Sequence, residues 1–301
     1  MSVLEFVSQA AFYGLVGGIA ALAYANRRSL PLGWHVRIFS RYYYWRIKAM
    51  PFTSPGAKVT SSTPAIRLDS IPLGKDIFAY EHVLDLKASY DDCDFFGHMS
   101  NSSYPKAMDF GRIAMSSSAF LQLSIDGGWI PLGATSFTFL KEIPIGMRYQ
   151  LRMHLEAWDE KWLYVVGRFI SRNKKTSEDV VHCVGVSKMC VKAGRKTIPP
   201  WLAIATSGFS SAPVGDSDVD KRTSNWQKSE ALRREKGKTP LLKAFVLPNG
   251  NGNSKEQHLP QREPWMEQSY WDVEQWEQRR QEGLARLLPM TSNECLLARH
   301  H

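Results

Sequence analysis

Ser89-Tyr90-Asp91-Asp92-Cys93-Asp94-Phe95-Phe96-Gly97-His98-Met99-Ser100-Asn101-Ser102-Ser103-Tyr104, continued after four residues by Asp109-Phe110-Gly111-Arg112, spans a change in the periodicity of the chain. Ahead of it, Leu84, Leu86 and Ala88 alternate with Asp85 and Lys87, the period of two of a half-buried strand. From about residue 102 to 123 the pattern is helical, with Ala107, Gly111, Ala114 and Ser118 on one face at 4-3-4 spacing. Small side chains on that face let a helix approach a sheet closely. The quoted residues are therefore a strand-to-helix loop rich in carboxylates.

Four strand-like runs follow, at 131–143, 148–156, 162–171 and 180–191. In the second, Leu151, Met153 and Leu155 alternate with Arg152, His154 and Glu156. The first and last carry apolar residues on both faces, as central strands do. Turn signals separate the runs at 144–146, 159–161 and 173–177. Strands joined by short turns imply an antiparallel sheet, and the single helix must cover one face of it. This α+β order fits a long helix wrapped by a curved antiparallel sheet, the hotdog arrangement. It fits a generic α+β sandwich equally well.

The loop breaks that tie. It resembles the signature of the 4-hydroxybenzoyl-CoA thioesterase group of hotdog proteins: D-x-D-x-x-G-H, a hydrophobic residue and two asparagines, then a Tyr, and a carboxylate and an Arg on the helix. Asp92, Asp94, Gly97, His98, Asn101, Tyr104, Asp109 and Arg112 fit it in order. The N-terminal apolar segment, the arginine-rich stretch after it and the overall length look like the membrane-associated THEM6-like relatives. Fungal thioesterases of secondary-metabolite clusters are similar too. The resemblance covers about residues 77–200. It implies a homodimer with its active site between protomers, acting on an acyl chain carried by CoA or by a carrier protein, with no cofactor.

Thioester hydrolysis needs a nucleophile or a base for water, and donors for the developing oxyanion. By the resemblance Asp94 is the catalytic carboxylate, as nucleophile or general base, beside helix-start N–H groups that can hold an oxyanion. Its alternative role is that of a turn or cap residue. His98 orients the substrate carbonyl or assists proton transfer, or else bonds the loop for structure. Gly97 allows close backbone approach, and Asn101 is expected to cap the helix and hold the loop. Phe95 and Phe96 are expected to line an acyl slot. Tyr104 is expected near the substrate but packed rather than catalytic. Asp92, Asp109 and Arg112 support the loop and helix, Asp109 by pairing with Arg112 or bonding the loop, although some hotdog enzymes place their carboxylate on this helix. Cys93, between Asp92 and Asp94, should have a raised pKa and be a poor nucleophile.

Two positions depart from the relatives. Ser100 replaces the first asparagine of the pair. Phe96 occupies the place where plant acyl-carrier-protein thioesterases, whose loop is similar, need an asparagine for their mechanism. The formal glycosylation sequon Asn101-Ser102-Ser103 should go unused in a cytosol-facing domain.

Lys and Arg number 38 against 29 Asp and Glu, a net charge of +9. Six of the basic residues (Arg27, Arg28, Arg37, Arg41, Arg46 and Lys48) fall between Asn26 and Pro51 with no acid among them. They directly follow residues 10–25, an uncharged apolar stretch. This favours a membrane surface over nucleic acid. The apolar stretch is expected to be a membrane anchor, against a targeting peptide or a helix packed on the protein's own core. Arginines after it place the remainder in the cytosol, with the endoplasmic reticulum the favoured organelle. Trp34, Phe39, Tyr42, Tyr43, Tyr44 and Trp45 suit an interfacial segment or a partly buried helix. Four cysteines (Cys93, Cys183, Cys190, Cys295) with no C-x-x-C pair suggest neither a disulfide framework nor zinc, and His300 and His301 read as a frayed end.

The expected organisation is an anchor at 1–25, a basic aromatic segment at 26–75, the hotdog domain at 76–200 and a C-terminal extension at 201–301. In the extension, 207–220 read as linker, 224–236 as a helix capped near Ser224 or Asn225, and 248–264 as loop or disorder. The polar run 249–253 follows no strand and is not a phosphate cradle. Residues 263–288 read as a helix with an imperfect stripe of Trp265, Tyr270 or Trp271, Trp276, and Leu284 or Leu287, expected to dock on its own domain. Two other functions share these features: a non-catalytic acyl-binding or scaffold protein, and a hotdog dehydratase using a His and a carboxylate.

Overall fold

A computed structural model describes residues 3–26, 31–53, 56–172, 177–210, 223–246 and 263–291. Helices α1 (Val3–Ala25) and α2 (Gly33–Lys48) lead to strand β1 (Glu81–Lys87) and then helix α3 (Ser103–Ala119). After the short α4 (Leu121–Ile125) come β2 (Gly128–Trp129), β3 (Leu132–Phe139), β4 (Arg148–Trp158), β5 (Trp162–Arg172), β6 (Asp179–Ala193) and β7 (Lys196–Ile198). Four helices complete the described chain: α5 (Pro200–Thr206), α6 (Ser224–Lys236), α7 (Leu241–Val246) and α8 (Glu277–Thr291). Residues 211–220 of the predicted linker, 248–262 of the predicted loop with its polar run, the turn residues 173–176, and Arg27, Arg28, Cys295, His300 and His301 lie outside the described residues.

Every strand pairing is antiparallel, in the order β1-β4-β5-β6-β3, with β2 and β7 added to β6. Helix α3 lies against one face, as the small-residue stripe predicts. Ala107, Gly111, Ala114 and Ser118 are all buried. A Cβ on Gly111 would stand 2.2 Å from Met153 Sδ and 2.9 Å from Leu151 Cδ2. Across the interface, Gly167 and Gly185 make room for Met108. The chain has the hotdog fold: a central helix seated in an antiparallel sheet.

Two local expectations change. The helix predicted to run to residue 123 ends at Ala119, because Phe120 takes φ −120° and ψ 32° to bury its ring near Phe209. The first run of the sheet, predicted central, is the edge strand β3. Among the described residues β3 pairs with β6 alone, and Leu132 and Phe139 are 45% and 44% exposed. Apolar residues on both faces mark a central strand only if both edges are paired within the same chain.

The C-terminal third packs back on the sheet. Helix α6 has the predicted bounds, but its cap is Thr223, whose Oγ1 accepts from Trp226 N at 3.2 Å. Residues 264–276 form three 3-10 turns instead of helix, and only Glu277 onward is α-helical. Trp265, Trp271 and Trp276 are all buried. Their spacings of six and five residues do not share one face of a 3.6-residue helix, so the backbone turns more tightly to aim all three inward. Helix α8 then covers the face of the sheet turned away from α3. There Leu284 and Leu287 meet Ala157, Tyr164, Val166 and Val186, and Gly283 permits contact with the Glu156 carbonyl.

Glu156 also ties this layer down, bonded to His154 Nε2 at 2.8 Å and Arg286 Nε at 2.6 Å. The His154 bond, with Arg286 adding to it, holds the Glu156 carboxyl down to about 2. A carboxyl lowered on folding stabilises fully above its unfolded value near 4.5, and the contribution fades as pH falls toward about 2. Between those values α8 is expected to lose protection in hydrogen exchange before the α3–sheet core does. Glu156→Gln should remove that acid-dependent step. An unchanged acid profile in the variant would show that the pair does not hold α8.

Candidate active site

The loop from β1 to α3 is built by its own polar groups. Ala88 is held from both sides, its N–H donating to Met147 O at 3.0 Å and its carbonyl accepting from Gly146 N at 2.8 Å. A 3-10 turn, Tyr90–Asp92, follows, and Ser89 closes it through its hydroxyl and its amide, both donated to Asp92 Oδ2. Asp92 is buried, and its other oxygen lies 3.2 Å from Lys106 Nζ on α3. Asp92 therefore staples the loop to the helix.

Asp94 begins the next turn. Its amide donates to His98 O at 2.9 Å, and its carbonyl accepts from Gly97 N at 3.1 Å. Gly97 sits at φ +80°, where a side chain would be strained. Asp94 Oδ1 accepts from the amides of Phe96 at 3.0 Å and His98 at 3.4 Å. Its second oxygen accepts no hydrogen bond among the described residues, and the side chain is exposed. One oxygen shapes the loop while the other is open to a reactant.

His98 lies on the far side of the same turn, where residues 97–99 bridge to the segment after β3. Ile145 N donates to Gly97 O, and Met99 N to Ile143 O, each at 2.8 Å. His98 Nε2 stands 3.2 Å from Glu142 Oε2. Glu142 has no counterpart in the sequence reading, which placed it inside a strand. Forty-four residues separate it from His98, and no local pattern marks the pairing. Behind it, buried His182 receives Ser171 at Nε2 (2.7 Å) and meets the Glu142 carbonyl at Nδ1 (2.9 Å). Burial pushes the His182 pKa below the ordinary histidine range, which suits a neutral ring bracing this segment.

At the helix start, Ser103 N donates to Ser100 O, and Ser100 N to Asp92 O, both at 2.9 Å. Ser100 Oγ contacts the hydroxyls of Ser102 and Ser103 at 3.0 and 3.1 Å. The serine that departs from the relatives thus belongs to the helix-start network. Asn101 does not cap the helix as expected. The cap position is Ser102, and Asn101 lies one residue outside it, exposed. The amides of Asn101 and Ser102 meet no backbone acceptor among the described residues.

Tyr104 is packed, its ring edge-on to Phe139 and Phe169, and burial above all pushes its hydroxyl up to about 12. Asp109 pairs with Arg112, whose guanidinium is buried and reaches Ser187 Oγ on β6 at 3.1 Å. The Cys93 thiol is raised, first by burial and then by Asp92 and Asp94. Phe95 and Phe96 line no slot among the described residues. They are 89% and 71% exposed, with ring centroids 4.0 Å apart. On this exposed loop the two rings pack on each other.

Comparison with known proteins follows the same outline. Residues 89–206 match the family model described as the thioesterase-like superfamily. A probable thioesterase of Saccharomyces cerevisiae is 31% identical over 204 residues, covering 67% of this chain and 83% of that protein. Thioesterase poxG of Penicillium oxalicum is 25% identical over 254 residues, covering 73% and 79%. Among solved structures, 4-hydroxybenzoyl CoA thioesterase from Pseudomonas sp. strain CBS-3 aligns with a TM-score of 0.34 at 12% identity, over 40% of this chain and 94% of that one.

Proposed function

Because this chain belongs to the thioesterase-like superfamily of hotdog proteins, we propose that it hydrolyses an acyl thioester with Asp94 as the reacting carboxylate. Water adds to the thioester carbonyl, the carbon–sulfur bond breaks, and the acid and the protonated thiol leave. Asp94 acts as base toward that water or attacks the carbonyl itself, and His98, oriented by Glu142, passes a proton toward the departing sulfur. The amides of Asn101 and Ser102 hold the oxyanion. The observation that carries this reading is the split use of Asp94: Oδ1 bound by two loop amides, the other oxygen unpartnered among the described residues. The test is release of free thiol from a panel of acyl-CoA and acyl-carrier-protein thioesters by the full chain in detergent. Product mass separates hydrolysis from dehydration, and calorimetric binding without thiol release would point to a non-catalytic acyl binder.

The same reading includes a second copy of the chain. Tyr90, Phe95, Phe96, Phe139, Leu140 and Ile145 are exposed around one loop junction, next to the free edge of β3. Unpaired strand edges and contiguous apolar surface favour association. Antiparallel β3–β3 pairing would extend the sheet and cover the two phenylalanines with the partner's surface. Leu132→Asp with Phe139→Asp is expected to convert a dimer to a monomer by light scattering and to reduce hydrolysis with it. An active, unaltered oligomer would exclude this edge.

The reading also includes membrane attachment through α1. Val7–Tyr24 has a mean hydropathy of 1.3 and none of it is buried within the protein. Its length and composition suit a bilayer span.

A further inference from the structure

Helix α2 is apolar on two opposite sides. Toward the protein, Ile38 is buried, Tyr42 and Trp45 are half-buried, and Arg37 lies 3.6 Å over the Phe110 ring of α3. Away from it, Val36, Phe39, Tyr43 and Ile47 recur at spacings of three, four and four, a single helical stripe. These four are 65%, 52%, 57% and 53% exposed. A helix lying on a water-soluble domain ordinarily turns a polar side outward. Two further observations identify what covers the stripe. The helix carries Arg37, Arg41, Arg46 and Lys48 and no acid, and Arg46, three residues after Tyr43, borders the stripe. Helix α2 also begins eight residues after α1 ends, so the stripe lies close in the chain to the candidate span.

We infer that α2 is an interfacial helix, lying in the headgroup region of an anionic bilayer with Val36, Phe39, Tyr43 and Ile47 inserted. This rests on the membrane-attachment reading and deepens it. The domain is not tethered at a distance but held flat, in the order bilayer, α2, α3, sheet, α8. Arg46 borders the stripe, where a long basic side chain reaches lipid phosphates. The arrangement also agrees with the proposed dimer. Two copies of β3 paired antiparallel in one continuous sheet are related by a twofold axis perpendicular to it, which puts both α2 helices on the same side.

The test uses the full chain in phosphatidylcholine–phosphatidylserine vesicles, with an environment-sensitive fluorescent amino acid at Tyr43 or, as control, at the exposed Gln278 of α8. Lipids brominated on their acyl chains are expected to quench position 43 several-fold more than position 278, and aqueous iodide should do the reverse. Phe39→Asp with Ile47→Asp, both at exposed sites, should abolish the lipid quenching. Iodide access at position 43 equal to that at 278 would overturn the proposal. So would shielding of position 43 from both quenchers, which would mean that a protein covers the stripe. Carbonate extraction reads the anchor separately. A chain that stays in the pellet with position 43 open to iodide keeps the anchor and loses the interfacial helix. A chain released by carbonate but quenched by bromolipid before the wash loses the anchor and keeps it.

Discussion

Asp94→Asn is expected to lower kcat/KM for the preferred acyl thioester by ~10²- to 10⁴-fold, the range over which a positioned acid or base acts. The substitution isolates chemistry from structure. Asparagine keeps an oxygen at the Oδ1 position, so the bonds from the Phe96 and His98 amides, and with them the turn at Gly97, survive. What is lost is the proton affinity and nucleophilicity of the second oxygen. KM should move little, and the melting temperature should stay near that of the parent chain. Asp92→Asn makes a useful contrast. Asp92 is buried between Ser89 and Lys106, so its substitution should lower stability as well as rate. Hydrolysis by Asp94→Asn at the parental rate on every active substrate would remove Asp94 from the mechanism. Activity would then have to come from another carboxylate, with Asp109 on α3 the next to test.

The largest stability effect is expected at Arg233. Its guanidinium and the Asp126 carboxylate, each 2% exposed, pair at 2.8 Å just past the end of α4. Arg233 also donates to Ser229 Oγ at 2.8 Å and Thr206 O at 2.7 Å, and Gln122 donates to Asp126 at 3.1 Å. A fully bonded buried pair gives little net stability by itself, but removing one partner strands the other charge away from water. Arg233→Met is therefore expected to cost about 3–5 kcal/mol, read as a fall in the denaturation midpoint with little change in slope. Asp126→Leu should cost a similar amount. The double variant should be less destabilised than the two losses added, because no isolated charge remains. Strict additivity, or a loss below about 1 kcal/mol for Arg233→Met, would mean that water reaches the pair. The result also bears on organisation. The pair joins α6, in the C-terminal extension, to the helix end that follows α3, so a chain truncated after residue 200 would leave Asp126 stranded.

The strand pattern at 84–88, the small-residue stripe on α3 and all four following strands were legible, though not the edge position of β3, because they are periodic over a few residues. Period two and period 3.6 are properties of neighbouring side chains. The loop was legible for a related reason. Asp94 and the Ser89–Asp92 pair act on groups within a few positions of themselves, and Ser100 closes the same network. The tryptophan-rich segment at 264–276 was misread because its spacing answers to three pockets in the fold rather than to a helical repeat.

Thus the sequence alone determined the strand–loop–helix unit at its centre and the carboxylate at that unit's mouth, since both rest on contacts between near neighbours. The tertiary structure decided what long separations bring together. Glu142 meets His98, Arg233 meets Asp126 across 107 positions, β3 becomes a free edge, and α2 is left with an apolar face on each side. Each depends on which surfaces remain after the sheet has closed over α3, and that is a property of the packed chain rather than of any one segment.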